Sequence, residues 1–133
     1  MTVTSLENSP ARRSDNELET LETALQQRIS GEVRFDRVAR ALYATDASPY
    51  EIKPYGVVLP KDVEDIRAVV EIASRYKVPV LPRGGGTSLA GQTVGEAIIV
   101  DVSKYMTKIL EFNPEEAWVR VEAGVVRDEL NNF

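Results

Sequence analysis

The chain has 133 residues, 43% of them hydrophobic and 28% charged, a composition typical of a soluble globular protein of one domain or part of one. It contains neither cysteine nor histidine, which excludes disulfide scaffolds, thiolate metal sites, nearly all zinc sites and the catalytic triads that need histidine. The net charge of −5 argues against non-specific nucleic-acid binding, and no apolar run approaches the roughly 18 residues that a membrane span needs.

The composition divides the chain into three parts. Residues 1–13 are polar and without periodicity, which predicts a disordered tail. They lack the apolar core of a secretory signal, so the expected location is the cytoplasm. Residues 14–42 are expected to form an N-terminal helical segment, and residues 43–133 to carry the larger, strand-rich part.

Two helices are predicted in the N-terminal segment. Ser14 and Glu17 have the spacing of a capping box and Gly31 is a typical C-terminal stop, so the first helix is expected at about 15–30. Its apolar face at helical spacing comprises Leu18, Leu21, Leu25 and Ile29. A second, shorter helix is expected within residues 33–42.

A strand, a helix and a second strand are predicted next. Residues 56–60 form a short apolar run that ends at a proline, and Asp62 is a suitable N-cap for the helix that follows. The helix has an apolar face made of Val63, Ile66, Val69, Val70 and Ala73. The second strand, 78–81, contains Pro79, which favours a sheet edge or a strand start. We expect the two strands to be parallel, with a right-handed crossover.

Three further strands and a helix complete the predicted fold. The strands are expected at 97–101, 109–112 and 117–121, and the helix at 125–133. The helix has an apolar face with no sequence left to cover it, so we expect the chain to be the front part of a larger protein. The predicted fold class is α+β, with an α/β-like βαβ subdomain.

A loop with four glycines, residues 82–92, is the strongest local sign of chemistry. Glycines allow positive φ angles and let backbone N–H groups approach a ligand closely, and such groups form anion-binding nests. Thr87 and Ser88 add hydroxyl donors, and Arg83 adds a charge that can fork onto a phosphate. Because the loop directly follows a strand, where open sheets bind ligands, it fits a phosphate or pyrophosphate.

The loop does not match the two commonest phosphate motifs. A Walker A loop needs a lysine after its last glycine, but Gly86 is followed by Thr87. A dinucleotide fingerprint starting at Gly84 needs a glycine where Leu89 stands. A mobile surface loop without a ligand remains the alternative interpretation.

No catalytic and no metal-ligating residue is predicted in this chain. Asp46 and Ser48 favour a turn or a helix cap over a ligand pocket. The adjacent Glu115 and Glu116 fall in a turn, where solvated charge explains them best. No pair of carboxylates has a spacing that suggests general acid–base catalysis.

From about Tyr43 to Phe133 the chain resembles the N-terminal half of the FAD-binding domain of the p-cresol methylhydroxylase type. Vanillyl-alcohol oxidase and the FAD-linked 2-hydroxy acid dehydrogenases share this domain. The similar stretches are GVVLPKDVEDIRAVVEIA at 56–73, VPVLPRGGGTSLAGQ at 78–92 and AIIVDVSKYMTKILEFNPEEAWVRVEAGVVRDEL at 97–130. TDAS at 45–48 and SLAGQTVG at 88–95 look most like the branch that acts on D-lactate, glycolate and D-2-hydroxyglutarate, especially its large bacterial members with iron–sulfur modules.

The resemblance implies that FAD lies with its pyrophosphate over the loop and its flavin further along. The positions it assigns to FAD binding are Pro60, Pro82, Arg83, Gly84, Gly85, Gly86, Thr87, Ser88, Leu89, Ala90, Gly91, Gln92 and Gly124. Some relatives attach FAD through histidine or cysteine, which this chain lacks, so non-covalent FAD is expected. An iron–sulfur cluster could be ligated only by residues beyond this chain.

The implied function of the full protein is oxidation of a 2-hydroxy acid by hydride transfer to FAD, after which the electrons pass to another acceptor. Two alternatives stay open: a FAD-linked alcohol or phenol oxidase that uses oxygen, and a non-enzymatic nucleotide-binding module. The chain alone is expected to be inactive, because the family's substrate residues lie in later sequence. The electron acceptor and the oligomeric state are not specified by these residues.

Overall fold

The computed structural model describes residues 13–133, so the predicted tail lies, apart from Arg13, outside the described residues. Four helices and six strands follow in chain order. They are α1 (Asp15–Gln26), β1 (Glu32–Arg34), α2 (Arg37–Leu42), β2 (Gly56–Leu59), α3 (Val63–Tyr76), β3 (Val80–Arg83), β4 (Ile98–Asp101), β5 (Ile109–Asn113), β6 (Trp118–Val121) and α4 (Arg127–Asn131). The mixture of helices and strands confirms the α+β class. None of these helices is long and apolar enough to cross a membrane.

The main sheet has four strands in the order β1-β2-β4-β3. β2, β4 and β3 are parallel, and β1 is antiparallel to β2. The two strands of the predicted βαβ unit are therefore parallel as expected, but they do not pair directly, because β4 lies between them. Val100 of β4 is in register with Val58 on one side and Pro82 on the other. β3 is an edge strand, as the proline before it favours.

The larger core lies on the face of the sheet that α1 and α3 cover. It contains Leu21 and Leu25 of α1 and Val69 and Ile72 of α3, all at most 2% exposed. From the sheet it contains Val58, Ile98 and Val100. The opposite face holds a smaller cluster of Val57, Leu59 and Ile99, against which Tyr43, Leu81 and Tyr105 pack. The two clusters follow the alternation of side chains along β2 and β4.

The N-terminal segment departs from prediction in two places. The capping box at Ser14 and Glu17 is present, but α1 ends at Gln26 rather than near residue 30. The strand β1 was not predicted, and it takes the first residues of the second predicted helix, which begins only at Arg37. β1 has only three residues, and so short a segment shows no alternation by which a strand could be recognised from sequence.

The C-terminal part is a separate two-stranded hairpin of β5 and β6 followed by the short helix α4. The helix was predicted over 125–133 and spans only Arg127–Asn131, with no buried residue. The predicted strand 117–121 begins at Trp118, because Ala117 has a positive φ of 55° in the turn. This part contributes little to the buried core of the described chain.

Candidate functional site

The glycine-rich loop lies at the edge of the sheet where the parallel strands end. β2, β3 and β4 run in the same direction, so their carboxyl ends, marked by Pro60, Arg83 and Asp101, share one edge. Arg83 is in register with Asp101, so Pro82 and Arg83, predicted in the loop, belong to β3 and the loop itself begins at Gly84. Ligands of open parallel sheets bind outside this edge, which makes the loop the candidate site.

At two of the adjacent glycines, the packing of the described residues leaves room for a side chain. A Cβ atom at Gly84 would lie farther than 4 Å from every atom beyond its chain neighbours, and one at Gly85 would meet only Thr87 Cγ2 at 3.6 Å. Neither residue has a positive φ; in the loop only Gly86, at 67°, and Gly91, at 72°, do. The space beside Gly84 and Gly85 is therefore open to something other than this part of the protein.

The same stretch carries backbone donors that the protein itself does not use. Within residues 13–133, the N–H groups of residues 84–87 make no hydrogen bond to a protein acceptor. Successive N–H groups in a turn conformation can form a concave nest of partial positive charge. An anion with several oxygens is the chemical partner that such a donor set fits best.

The second half of the loop is organised by its own side chains. The Ser88 hydroxyl accepts hydrogen bonds from the backbone N–H groups of Ala90 at 3.3 Å and Gln92 at 3.1 Å, and it donates to the side chain of Gln92. Leu89 projects into solvent with 79% of its surface exposed. The single hydroxyl proton of Ser88, expected to be donated to a ligand, is donated to Gln92 instead, and Ser88 holds a turn that presents Leu89.

Arg83 anchors the start of the loop and keeps its positive charge. Its guanidinium lies 5.0 Å from the ring centroid of Tyr43 and donates to the carbonyl oxygens of Thr93 at 3.3 Å and Tyr43 at 3.5 Å. Within the described residues no carboxylate forms an ion pair with it. A cation whose bonds go only to neutral partners remains available to attract an anion to the loop.

A buried carboxylate fixes the tyrosine on which Arg83 stacks. Asp101, 6% exposed, accepts hydrogen bonds from the Tyr43 hydroxyl at 2.5 Å and from the Ser103 N–H at 2.8 Å. Burial, and then the hydrogen bond to Asp101, raise the pKa of Tyr43 to about 12, so the phenol stays protonated and keeps donating. Sequence reasoning missed this pair, because its members are 58 residues apart and each looks ordinary alone.

Pro60 and Gly124 lie apart from the loop, nearer the ends of β2 and β4. Pro60 is buried directly after β2. A Cβ atom at Gly124 would stand 2.1 Å from the carbonyl oxygen of Val102 and 2.7 Å from that of Met106. Close backbone packing therefore accounts for Gly124 on its own, whereas Gly84 and Gly85 need another explanation.

The groups that the loop offers suit the binding of an anion. Among the described residues, no group of three or more aspartates and glutamates is placed to hold a metal ion. The Asp101 carboxylate, at the end of β4, accepts hydrogen bonds from Tyr43 and Ser103. What the loop offers is unpaired donors, one cation and room for close approach.

Comparison with known proteins shows the family to which the chain belongs. The sequence model of the FAD-binding domain family matches residues 54–133. The chain is 41% identical over 119 residues to D-2-hydroxyglutarate dehydrogenase of Escherichia coli K12, which covers 87% of this chain and 12% of that protein. It is 36% identical over 102 residues to glycolate oxidase subunit GlcD of Bacillus subtilis, with coverages of 74% and 22%.

The fold also matches that of a solved structure. The structure of p-cresol methylhydroxylase with substrate bound superposes with a TM-score of 0.72 at 21% identity, over 90% of this chain and 24% of that one. At this identity the likeness concerns the fold alone. The chain thus spans about an eighth of the length of the D-2-hydroxyglutarate dehydrogenase and about a quarter of the p-cresol methylhydroxylase chain.

Proposed function

The chain belongs to the family of FAD-binding domains, and we propose that its protein oxidises a 2-hydroxy acid by hydride transfer to FAD. The observation that supports this substrate class is the 41% identity over 119 residues to a D-2-hydroxyglutarate dehydrogenase. The electrons then pass to a further acceptor. We infer a cytoplasmic protein in which residues 43–133 carry cofactor binding, with residues 14–42 packed beside them.

The loop after β3 fits the pyrophosphate of FAD. The unpaired N–H groups of residues 84–87 would donate to the phosphate oxygens, and Arg83 would balance their charge. The open space beside Gly84 and Gly85 would admit the phosphates at backbone distance. In this proposal residues 89–92 continue toward the ribityl chain, and Pro60 and Gly124 border the cofactor from β2 and β4.

The role of this chain in the reaction is to bind and orient the cofactor. FAD, when bound, supplies the acceptor for the hydride that leaves the α-carbon of the hydroxy acid. None of the residues described here is proposed as the base that takes the hydroxyl proton. The chain has no histidine and no cysteine, the residue types that attach FAD covalently in some relatives. We therefore infer that it binds FAD non-covalently.

The test is to purify the protein, record its flavin spectrum and follow dye reduction with D-2-hydroxyglutarate, D-lactate and glycolate. We expect a flavin spectrum, dye reduction with at least one of the three, and yellow cofactor in the supernatant after acid precipitation. Oxygen consumption with a 4-alkylphenol, and none of these dye reactions, would instead identify a phenol oxidase. A protein that purifies and refolds without ever taking up FAD would refute the assignment altogether.

A further inference from the structure

The segment before the matched family region forms a compact loop, residues 43–52. The N–H group of Ile52 donates to the Ala44 carbonyl oxygen at 2.9 Å and closes it. Inside the loop, Asp46 Oδ1 accepts the N–H group of Ser48 at 2.9 Å, as expected of an aspartate-initiated turn. This is the TDAS stretch, which lies outside residues 54–133 and to which the FAD-binding proposal gives no role.

The 43–52 loop touches the glycine-rich loop at its start, middle and end. Four contacts make this connection: Arg83 Nη1 to the Tyr43 carbonyl oxygen at 3.5 Å, the Ala47 N–H to the Gly86 carbonyl oxygen at 3.0 Å, the Tyr50 ring beside Gly91, and Thr93 Oγ1 to Asp46 Oδ2 at 2.9 Å. A Cβ atom at Gly91 would stand 2.6 Å from Tyr50 Cδ2, so the ring lies directly against that backbone.

Asp46 is the centre of this connection. One carboxylate oxygen holds the turn through Ser48, and the other holds the far end of the glycine-rich loop through Thr93. The hydrogen bonds from Ser48, followed by those from Thr93, lower the pKa of Asp46 to about 2. The carboxylate is therefore ionised at neutral pH and acts as acceptor to both partners.

Such contacts matter because a loop with three adjacent glycines has much conformational freedom to lose when it binds a ligand. Fixing its ends beforehand lowers that loss and so raises affinity without adding any contact to the ligand. A negative carboxylate would repel a phosphate that it faced directly. Here both oxygens are turned to the protein's own donors.

We propose that Asp46 and Thr93 are positioning residues that hold the glycine-rich loop in its FAD-binding conformation. They act through the loop backbone and do not touch the cofactor. The inference rests on the proposed FAD-binding role of that loop, and it adds the 43–52 loop to the cofactor site.

The test measures FAD affinity of the apoprotein for Asp46→Asn and Thr93→Val by titration of flavin fluorescence. Asparagine keeps one acceptor oxygen but no charge, and valine cannot donate, so each variant removes the hydrogen bond between the Thr93 hydroxyl and a charged carboxylate. We expect each to weaken FAD binding about tenfold, the scale of a hydrogen bond to a charged group. The double variant should bind no worse than the weaker single variant, because the two side chains form one interaction. Thr93→Ser keeps the hydroxyl and should restore the affinity.

The control is Asp36→Ala, which removes a helix cap. Asp36 caps α2 by accepting the N–H groups of Val38 and Ala39, near the opposite edge of the sheet from the glycine-rich loop. We expect this variant to lose stability, as seen in urea unfolding, with an unchanged FAD dissociation constant. A loss of FAD affinity in Asp46→Asn and Thr93→Val that Thr93→Ser does not share would separate positioning of the loop from general misfolding.

The outcomes separate this inference from the proposed function. If the wild type binds FAD and both variants bind it equally well, the positioning role is wrong while the FAD site stands. Additive losses in the double variant would also overturn it, since they would show two independent effects. If the wild type binds FAD but oxidises no hydroxy acid, the substrate proposal fails and the positioning role is still decided by the affinities. A wild type without FAD affinity would overturn both.

Discussion

Two sets of backbone N–H groups in the described residues differ in whether that part of the chain supplies an acceptor for them. At the first, the N–H groups of Ser30, Gly31 and Lys61 all donate to the Asp65 carboxylate, at 2.8 to 3.0 Å. At the second, the N–H groups of residues 84–87 have no acceptor within the described chain. The same kind of donor is thus used by the fold in one place and has no acceptor within residues 13–133 in the other.

The glycines of the two places differ in the same way. A Cβ atom at Gly31 would stand 2.1 Å from the Leu59 carbonyl oxygen and 3.1 Å from Asp65 Oδ2. At Gly84 and Gly85 a side chain would meet open space or ordinary contact. The packing of the described residues therefore requires a glycine at Gly31 but would admit a side chain at Gly84 and Gly85. Substitutions at the two places should therefore differ widely in their effect on the free energy of unfolding of the apoprotein.

Gly31→Ala should have the largest effect. Its methyl group would overlap the backbone of β2, which cannot move without disturbing the sheet. We expect a loss of about 3 kcal/mol, the upper end of typical overpacking costs, measured by urea unfolding. Gly95→Ala is the control, since its Cβ would lie 3.4 Å from the mobile end of Leu81, and it should cost much less. Equal losses in the two variants would contradict the steric explanation.

Asp65→Asn should come next, with a loss of about 2 kcal/mol at pH 7, because it weakens hydrogen bonds to a charged group at a buried site. Burial would raise the pKa of Asp65, but the N–H groups of Lys61, Ser30 and Gly31 outweigh it and lower the pKa. The stabilisation is then complete above the unfolded pKa of about 3.9 and is lost as pH falls through the lower folded value.

Urea unfolding of the wild type and of Asp65→Asn between pH 7 and pH 2 checks this sign. The difference between the two should shrink as the pH falls below about 4, the ordinary pKa of an aspartate. A difference that stayed constant down to pH 2 would show that the charge of Asp65 does not carry the stabilisation.

Gly86→Val should have an intermediate effect on stability and also abolish FAD retention. Gly86 has a φ of 67°, and a left-handed backbone costs a residue with a side chain about 1–2 kcal/mol. Its Cβ would stand 2.5 Å from Arg83 Nη2, the far end of a flexible side chain that can give way. The flavin-to-protein ratio after purification and urea unfolding of the apoprotein measure the two effects. A folded variant with full flavin content would contradict the placement of the cofactor at this loop.

Much of the fold could be predicted because it rests on local patterns. The apolar run of β2, the amphipathic α3 with its Asp62 cap and the strand β4 all appear where their periodicity places them. The end of α1 could not be predicted, because Ser30 and Gly31 leave the helix to donate to Asp65, 35 and 34 residues away. The position of β4 between β2 and β3 could not be predicted either, because no local pattern specifies which strands pair.

The candidate site, like the fold, could be predicted only where it depends on local sequence. Its loop was recognisable from four glycines after a strand, because the chemistry of that motif is local. The residues that hold the loop were not, since Tyr43 meets Asp101 and Asp46 meets Thr93 only after the sheet has formed. Gly124 was assigned to the cofactor, yet its tight contact with Val102 gives it a role in the fold as well.

Gly85→Val should have the smallest effect on stability and is the sharpest test of the comparison. Its φ is not positive, and a Cβ there would meet only Thr87 Cγ2 at 3.6 Å, so the apoprotein should unfold within about 0.5 kcal/mol of the wild type. If the open space belongs to FAD, the same side chain would hold the phosphates away from the unpaired N–H groups. We therefore expect flavin content near zero in a protein of normal stability. Loss of both together would mean that Gly85 serves the fold, and retention of both would mean that nothing binds beside it.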